Sequence, residues 1–153
     1  MVKDKKPTKL SVGAMAPSLD LKDETGKTVD ISKFRGKKNV VLVFYPGDMT
    51  PGCTVQLCAI RDDWSKFQAA DAVVFGINHG DAESHQRFKQ AYDFPFPLLV
   101  DPSKKASEKF GAIKTLFGRP VIKRTVVAID KEGKIVFLKS GMPKHSDILK
   151  TIK

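Results

Sequence analysis

The chain has 153 residues, 41% hydrophobic and 29% charged, which predicts one globular domain over residues 1–153 with a core of its own. Its formal net charge is +10, but the lysines are scattered and aromatic side chains do not alternate with them, so we favour a solvated basic surface over a nucleic-acid interface. No apolar run reaches membrane-spanning length, and no apolar segment follows the basic N-terminus as in a signal peptide. We therefore expect a cytoplasmic protein that binds neither membrane nor nucleic acid.

The first half of the chain predicts a hairpin, a buried strand, a helix and a second buried strand. The hairpin covers residues 19–32 and turns at Thr25–Gly26. The run NVVLVFYP, residues 39–46, is almost continuously apolar, as in a central strand covered on both faces. A helix is predicted from Pro51 to about Ala70, and AVVFGIN, residues 72–78, is the second buried strand.

The second half continues this alternation of strands and helices. Its predicted elements are a helix over residues 82–93, a short strand over 96–101, a short helix over 103–111, a hairpin over 124–141 turning at Glu132–Gly133, and a closing helix capped by Ser146. The order predicts an α/β domain with a mainly parallel sheet and helices on both faces, to which the last hairpin adds antiparallel strands. Ligands of such sheets bind at the carboxyl ends of strands, which here indicates the turn after Tyr45.

That turn leads into a helix with a cysteine in its first turn. Pro51 suits the first helical position, because its missing N–H would have no partner there. Thr50 is then the N-cap, and Cys53 is the third helical residue. A thiolate at this position faces free backbone amides and the positive end of the helix dipole, and Gly52 leaves room for close approach. The pattern predicts a reactive sulfur at Cys53.

The second cysteine, Cys58, lies on another side of the same predicted helix. Cys53 lies near the mean direction of the apolar stripe, whereas Cys58 lies about 140° away from it. The stripe consists of Leu57, Ile60, Trp64 and Phe67. Five helical residues separate the two cysteine Cα atoms by roughly 8.7 Å, and a disulfide needs less than about 7 Å. The two sulfurs can bond only if the helix unwinds, as in a catalytic cycle with an opening step.

Pro46, Thr50 and Cys53 form the pattern Pro-x-x-x-Thr-x-x-Cys within YPGDMTPGCT, which resembles the peroxiredoxin active-site motif. With Cys58 five residues on, and FPLLVD and KRTVVAID downstream, the chain resembles the peroxiredoxin Q, or bacterioferritin comigratory protein, branch over nearly its whole length. The resemblance implies a thioredoxin-like fold, with a central mixed β-sheet flanked by helices and an N-terminal hairpin.

The resemblance also implies a role for each matching residue. Cys53 matches the peroxidatic cysteine, and Cys58 matches the resolving cysteine of atypical two-cysteine members, which closes an intramolecular disulfide. Thr50 matches the hydroxyl that orients the peroxide, Pro46 the proline that shields the pocket, and Arg124, in KRTVVAID, the arginine of the active site. We interpret the nearby Arg119 as a surface loop residue, because a proline follows it.

The activity that the resemblance implies is thiol-dependent reduction of hydrogen peroxide and organic hydroperoxides in antioxidant defence. The implied reductant is thioredoxin or a glutaredoxin-like protein, no cofactor or metal is needed, and we expect a monomer. The sequence departs from the family at Gln56, where many members carry Glu, at INHGD (residues 77–81), where a Ser-x-Asp pattern is usual, and at Val126, where an aromatic residue is common.

Three other interpretations of the sequence remain open. A metal site would use Cys and His, but C-x-x-C and H-x-x-x-H spacings are both missing, and we interpret His79, His85 and His145 as solvated surface residues. A thiol–disulfide reductase would share the fold class, yet it too would carry C-x-x-C. The third interpretation is a basic nucleic-acid-binding module, whose binding would fall steeply with salt.

Overall fold

The structure, a computed structural model, describes residues 10–152. The strands are β1 (Asp20–Lys22), β2 (Thr28–Asp30), β3 (Asn39–Phe44), β4 (Ala72–Asn78), β5 (Leu98–Val100), β6 (Ile113–Leu116), β7 (Arg119–Ile122), β8 (Thr125–Ile129) and β9 (Ile135–Ser140). The helices are α1 (Pro51–Asp62), α2 (Trp64–Ala69), α3 (Ala82–Tyr92), α4 (Lys105–Lys109) and α5 (His145–Leu149).

A mixed sheet with the strand order β2-β1-β5-β4-β3-β8-β9 forms the centre of the fold. The pairs β3–β4 and β4–β5 are parallel, whereas β3–β8, β8–β9, β1–β2 and β1–β5 are antiparallel. The sheet is therefore less parallel than the alternation of elements predicted. Parallel pairing is confined to the strands that helices connect, because such crossovers return the chain in the same direction.

The buried strand β3 divides the core into two parts. Alternate side chains of a strand point to opposite faces. Val41 and Val43 belong to the part of the core that includes residues of α1, α2, α3 and α5, whereas Val40, Leu42 and Phe44 belong to the part that includes a residue of α4. All six β3 residues are buried. Burying a side chain of this size stabilises the fold by about 1.5–3 kcal/mol, so the carboxyl end of β3 is a firmly held starting point for the loop that follows.

Both predicted hairpins are confirmed, as β1–β2 and β8–β9. The single helix predicted from Pro51 to Ala70 is interrupted at Asp63, whose backbone (φ −98°, ψ 17°) ends α1 and begins α2. The Asp63 carboxylate accepts a hydrogen bond from His145 Nδ1 at 2.6 Å, and this bond lowers the pKa of Asp63. Aspartate is unfavourable in a helix interior, because its side chain forms hydrogen bonds that favour caps and turns.

The hairpin β6–β7 was not predicted from the sequence. It pairs Leu116 with Arg119 around a turn at Phe117 and Gly118. Both turn residues have positive φ angles, 52° and 76°, as in the two-residue turns that match the twist of a hairpin. Arg119 is exposed, as predicted, but it lies in strand β7 and not in a loop. A short 3₁₀ turn, Ile31–Phe34, was also missed.

Ser146 does not cap the closing helix. Helix α5 begins at His145, so Ser146 lies inside it and Lys144 is the N-cap. No helix among residues 10–152 is long and apolar enough to cross a membrane. The described residues are built around one central sheet. A single domain over residues 1–153 stays a prediction, since residues 1–9 and 153 lie outside the described range.

Asp71, in the turn before β4, joins two other parts of the chain. Its carboxylate lies 2.6 Å from Lys131 Nζ and 2.7 Å from Lys38 Nζ. The hydrogen bonds from Lys131 and then Lys38 lower the pKa of Asp71 from 3.8 to about 2. A carboxyl group whose pKa is depressed by folding stabilises the protein above its ordinary pKa, and this contribution disappears as the pH falls towards the lowered value.

We therefore expect Asp71→Asn to remove part of the acid dependence of stability between pH 3.8 and about 2. In that window the melting temperature of the wild type should fall more steeply than that of the variant, because only the wild type must protonate this carboxylate. Thermal unfolding followed by circular dichroism across the window measures both slopes. Equal slopes would contradict the assigned role of the two lysines.

Candidate active site

The loop after β3 leads directly into α1, as the sequence predicted. Pro51 is the first helical residue and Thr50 occupies the N-cap position. The Thr50 hydroxyl makes no capping bond to the helix; it donates to the Gly47 carbonyl oxygen at 2.9 Å. The backbone amides of Gly52 and Cys53 therefore keep their capacity to bind an oxygen atom that approaches the helix.

Cys53 is the third residue of α1 and is completely buried, in contact with the core that includes Val43, Tyr45 and Leu57. Cys58 is half-buried, and both residues are free thiols. Helix α1 is unbroken from Pro51 to Asp62, so the roughly 8.7 Å expected between the two cysteine Cα atoms of a regular helix applies here. The prediction that Cys53 lies on the core side is confirmed, whereas Cys58 is not turned fully away from the core, because it packs against the edge of the same core cluster.

Arg124 lies immediately before β8 and reaches across to the first turn of α1. Its Nη1 donates to Gln56 Oε1 at 2.9 Å, and a Cβ atom at position 52 would lie only 2.9 Å from its Nη2. Glycine at position 52 therefore lets the guanidinium approach the helix where Cys53 begins. Gln56 is buried, and its Nε2 also donates to the Gly141 carbonyl at 3.4 Å. The neutral amide orients the guanidinium without cancelling its charge.

A buried polar network that was not predicted from the sequence lies under the active-site loop. The Tyr45 hydroxyl donates to Asp48 Oδ1 at 2.6 Å. The other carboxylate oxygen, Oδ2, accepts from the Ser84 hydroxyl and lies against His85 Nδ1, each at 2.6 Å. Burial alone would raise the pKa of Asp48, but the hydrogen bonds from His85, Ser84 and Tyr45 together lower it. Burial, and next the Asp48 charge, raise the pKa of Tyr45 well above 10, so Tyr45 remains a donor.

The INHGD departure has a structural explanation at Asn78. The Asn78 Nδ2 group donates to the Tyr45 carbonyl at 2.8 Å, and its Oδ1 accepts from the Gly80 amide at 2.8 Å. This side chain therefore joins the ends of β3 and β4 beside the site. Val126 lies in the core against α1, which fits a packing change.

The histidines are only in part the surface residues that we predicted. His79 is exposed, as expected, but His85 is completely buried and His145 is partly buried against Asp63. The spacing of His85, Phe88 and Tyr92 on one helix face was the signal that could have revealed the burial of His85. Over residues 10–152, no group of three or more His, Cys, Asp and Glu side chains is placed to hold a metal ion.

Of the residues predicted for the site, the structure brings Cys53, Thr50 and Arg124 to the first turn of α1. Cys58 lies one and a half turns further along the same helix. Pro46 lies in the same loop as Thr50, with its ring exposed to solvent. Arg119 lies in the projecting hairpin and is exposed. The site is thus a buried thiol at a helix N-terminus, with an arginine beside it and a second thiol out of bonding reach.

The chain is similar to known proteins in both sequence and fold. The AhpC/TSA family model matches residues 12–138. The chain is 45% identical to the chloroplastic peroxiredoxin Q of Suaeda salsa over 142 residues, which are 91% of this chain and 65% of that protein. It is 40% identical to peroxiredoxin Bcp of Bacillus subtilis over 151 residues, which are 94% of this chain and 96% of that protein.

Among solved structures, the crystal structure of peroxidoxin BcpB from Mycobacterium tuberculosis superposes with a TM-score of 0.85 at 32% identity, covering 94% of this chain and 97% of that one. The predicted thioredoxin-like fold with a mixed central sheet is confirmed. The chain belongs to the AhpC/TSA family of peroxiredoxins, in its peroxiredoxin Q/Bcp branch. It spans less than two thirds of the length of the Suaeda salsa relative.

The close approach of Arg124 to Gly52 generates a prediction. In Gly52→Ala the new methyl group should displace the guanidinium from its place 2.9 Å away. Oxidation of Cys53 by hydrogen peroxide should become roughly 10-fold slower, since complete loss of such a donor is worth about 10²–10³ in rate. The free energy of unfolding should fall by no more than about 1–3 kcal/mol, the cost of leaving Gln56 Oε1 unpaired, because alanine favours a helix over glycine by about 0.5–1 kcal/mol.

Stopped-flow fluorescence of Trp64 measures the oxidation rate, and urea unfolding measures the stability. Val55→Ala is the matched control, since Val55 lies on the same helix with 63% of its surface exposed; its oxidation rate should equal that of the wild type. A Gly52→Ala variant as fast as Val55→Ala would show that the guanidinium position does not matter.

Proposed function

We propose that this protein is a thiol-dependent peroxidase in which Cys53 reduces hydrogen peroxide and organic hydroperoxides. The observation that carries the proposal is the position of the Cys53 thiol. It is fully buried at the third position of α1, and the Arg124 guanidinium lies against the same turn. Membership of the peroxiredoxin Q/Bcp branch supports the same chemistry.

In the first step, the Cys53 thiolate attacks the terminal oxygen of the peroxide, R–O–O–H. A sulfur–oxygen bond forms while the oxygen–oxygen bond breaks, so the sulfur is oxidised to a sulfenic acid and R–O⁻ leaves and takes up a proton as the alcohol or water. Negative charge moves from sulfur to oxygen. In this proposal the amides of the first turn and the Arg124 guanidinium stabilise that charge, and so does the Thr50 hydroxyl once it turns from the Gly47 carbonyl to the peroxide.

In the second step, the Cys58 thiol condenses with the Cys53 sulfenic acid. A disulfide forms and water leaves, which carries away the oxygen that the peroxide delivered. Because α1 is continuous through both residues, its first turns must unwind before the two sulfurs can meet.

A dithiol protein then reduces the disulfide by thiol exchange. We propose thioredoxin or a glutaredoxin-like protein for this step, with the peroxidase acting as a monomer. Regeneration of the two thiols requires a reducing compartment, and the proposal therefore includes the cytoplasm. The basic surface, with a formal charge of +10, would attract an acidic reductant by electrostatic steering.

Serine substitutions at the two cysteines separate the two steps. Cys53→Ser should abolish peroxide consumption, because the attacking sulfur is gone. Cys58→Ser should oxidise at the wild-type rate once per molecule, then stop at the sulfenic acid, because the intramolecular partner is missing. Peroxide consumption in the presence of thioredoxin, and mass spectrometry of the oxidised products, measure both. A fully active Cys53→Ser protein would disprove the proposed function.

Arg124→Ala should slow Cys53 oxidation by about 10²–10³-fold, the usual loss for one preorganised donor. Arg124→Lys should fall between this variant and the wild type, because a lysine keeps the charge but loses the planar pair of donors. The alanine variant also leaves Gln56 Oε1 unpaired, which costs about 1–3 kcal/mol of stability.

Stopped-flow oxidation rates measured below the melting temperature of each variant separate the loss of rate from the loss of stability. Arg119→Ala is the control, because Arg119 is exposed on the β6–β7 hairpin, and it should react like the wild type. If Arg124→Ala and Arg119→Ala oxidise at the same rate, Arg124 has no part in the attack on peroxide.

A further inference from the structure

His85 is a completely buried histidine that the mechanism above does not use. It lies in α3, one turn before Phe88, and its ring packs 6.3 Å from the ring of Tyr45, measured between centroids. Both ring nitrogens face oxygen atoms: Nδ1 is 2.6 Å from Asp48 Oδ2, and Nε2 is 2.9 Å from the Leu99 carbonyl oxygen. Both distances are those of hydrogen bonds.

A carbonyl oxygen and a carboxylate oxygen are both acceptors, but a neutral imidazole has only one N–H. Either neutral tautomer of His85 would therefore place a nitrogen lone pair against an oxygen lone pair in a site without solvent. Two ring protons satisfy both contacts, and the adjacent Asp48 carboxylate balances the resulting charge. A proton on Asp48 instead is disfavoured, because the Tyr45 and Ser84 hydroxyls both donate to this carboxylate and so favour its charged form.

Asp48 transmits this contact to the active-site loop. It is the middle residue of the segment between Pro46 and Thr50, and only 6% of its side chain is exposed. Its two oxygens are held by Tyr45 at the end of β3 and by Ser84 and His85 in α3, and His85 is in turn fixed to β5 through Leu99. The end of β3 and the helix α3 thus hold this loop residue directly, and β5 holds it through His85.

We propose that His85 is a positioning residue for the peroxide step: as an imidazolium bonded to Asp48 and Leu99, it fixes the loop that carries the Thr50 hydroxyl and leads into the first amides of α1. The inference rests on the proposed peroxidase function. Reaction rates depend on such placement, since a misplacement of 1 Å can cost about 10²-fold in rate.

The contribution of His85 is confined to one step of the cycle. Asp48 precedes Pro51 in the chain, so α1 can unwind from its first residue while Asp48 keeps its three partners. Oxidation of Cys53 needs the loop in place, whereas disulfide formation needs the helix to open. Loss of the His85 contact should therefore slow the first step and leave the second step nearly unchanged.

NMR of the wild-type protein carrying nitrogen-labelled histidine tests the protonation state directly. At neutral pH the ring of His85 should show two bonded protons that exchange slowly with water, and the signal should be absent from His85→Gln, which assigns it. A ring with a single proton would overturn the proposal. This measurement is made without peroxide, so it is independent of the proposed function.

Stopped-flow kinetics then test the role. His85→Gln and Asp48→Asn should each lower the second-order rate constant for hydrogen peroxide by about 10- to 100-fold, while the first-order rate of disulfide formation stays within about twofold of the wild type. The double variant should be no slower than Asp48→Asn alone, because residues that act through one contact are not additive.

His145→Gln is the matched control, since His145 in α5 pairs at the same 2.6 Å with Asp63, which lies at the far end of α1 from Cys53; its oxidation rate should not change. Unchanged oxidation rates in both variants, additive losses, or equal slowing of both steps would each overturn the positioning role. If His85→Gln fails to fold, the rates of Asp48→Asn and the wild-type NMR signal decide. A wild type that does not react with peroxide would instead overturn the proposed function.

Discussion

The site depends on the contact between the first turn of α1 and the Arg124 guanidinium. This contact requires glycine at position 52, where a Cβ atom would lie 2.9 Å from Nη2, and it requires β8 next to β3, which brings Arg124 to the helix. The buried β3 strand supplies the fixed point from which the loop and α1 start. Sheet order, glycine and arginine together bring a positive charge to the Cys53 turn.

A buried thiolate is costly because removal from water penalises the charged form of a side chain. Cys53 is completely buried, so the amides of the helix terminus and the guanidinium must replace the lost water. Gln56 matters here, because its neutral oxygen holds Nη1 at 2.9 Å without contributing a negative charge. A carboxylate in its place would hold the arginine more tightly but would also cancel part of the charge that acts on the sulfur.

The sequence predicted the parts of the site that lie close together along the chain. Thr50, Pro51 and Cys53 are specified by the rules for helix N-termini and by the motif, and the position of Arg124 followed from the resemblance. The network of Asp48 and His85 could not be predicted in the same way, because its members are 37 residues apart and meet only once β3, β4 and α3 are packed. The break at Asp63 likewise depends on a tertiary partner, His145.

The first step of the proposed cycle needs α1 folded, whereas the second step needs its first turns to unwind. The contacts that hold α1 differ between its two ends in a way that suits both steps. Beyond the first turn, α1 is held to the core by Leu57 and Ile60. Its beginning lacks a side-chain cap, which normally stabilises a helix by about 1 kcal/mol, and Gly52 weakens it by a similar amount relative to alanine. The end of the helix that must open is therefore the weakly held end. The hydrogen bonds of Asp48 to Tyr45, Ser84 and His85 keep the preceding loop in place, so the opening of α1 need not displace the loop that carries the Thr50 hydroxyl.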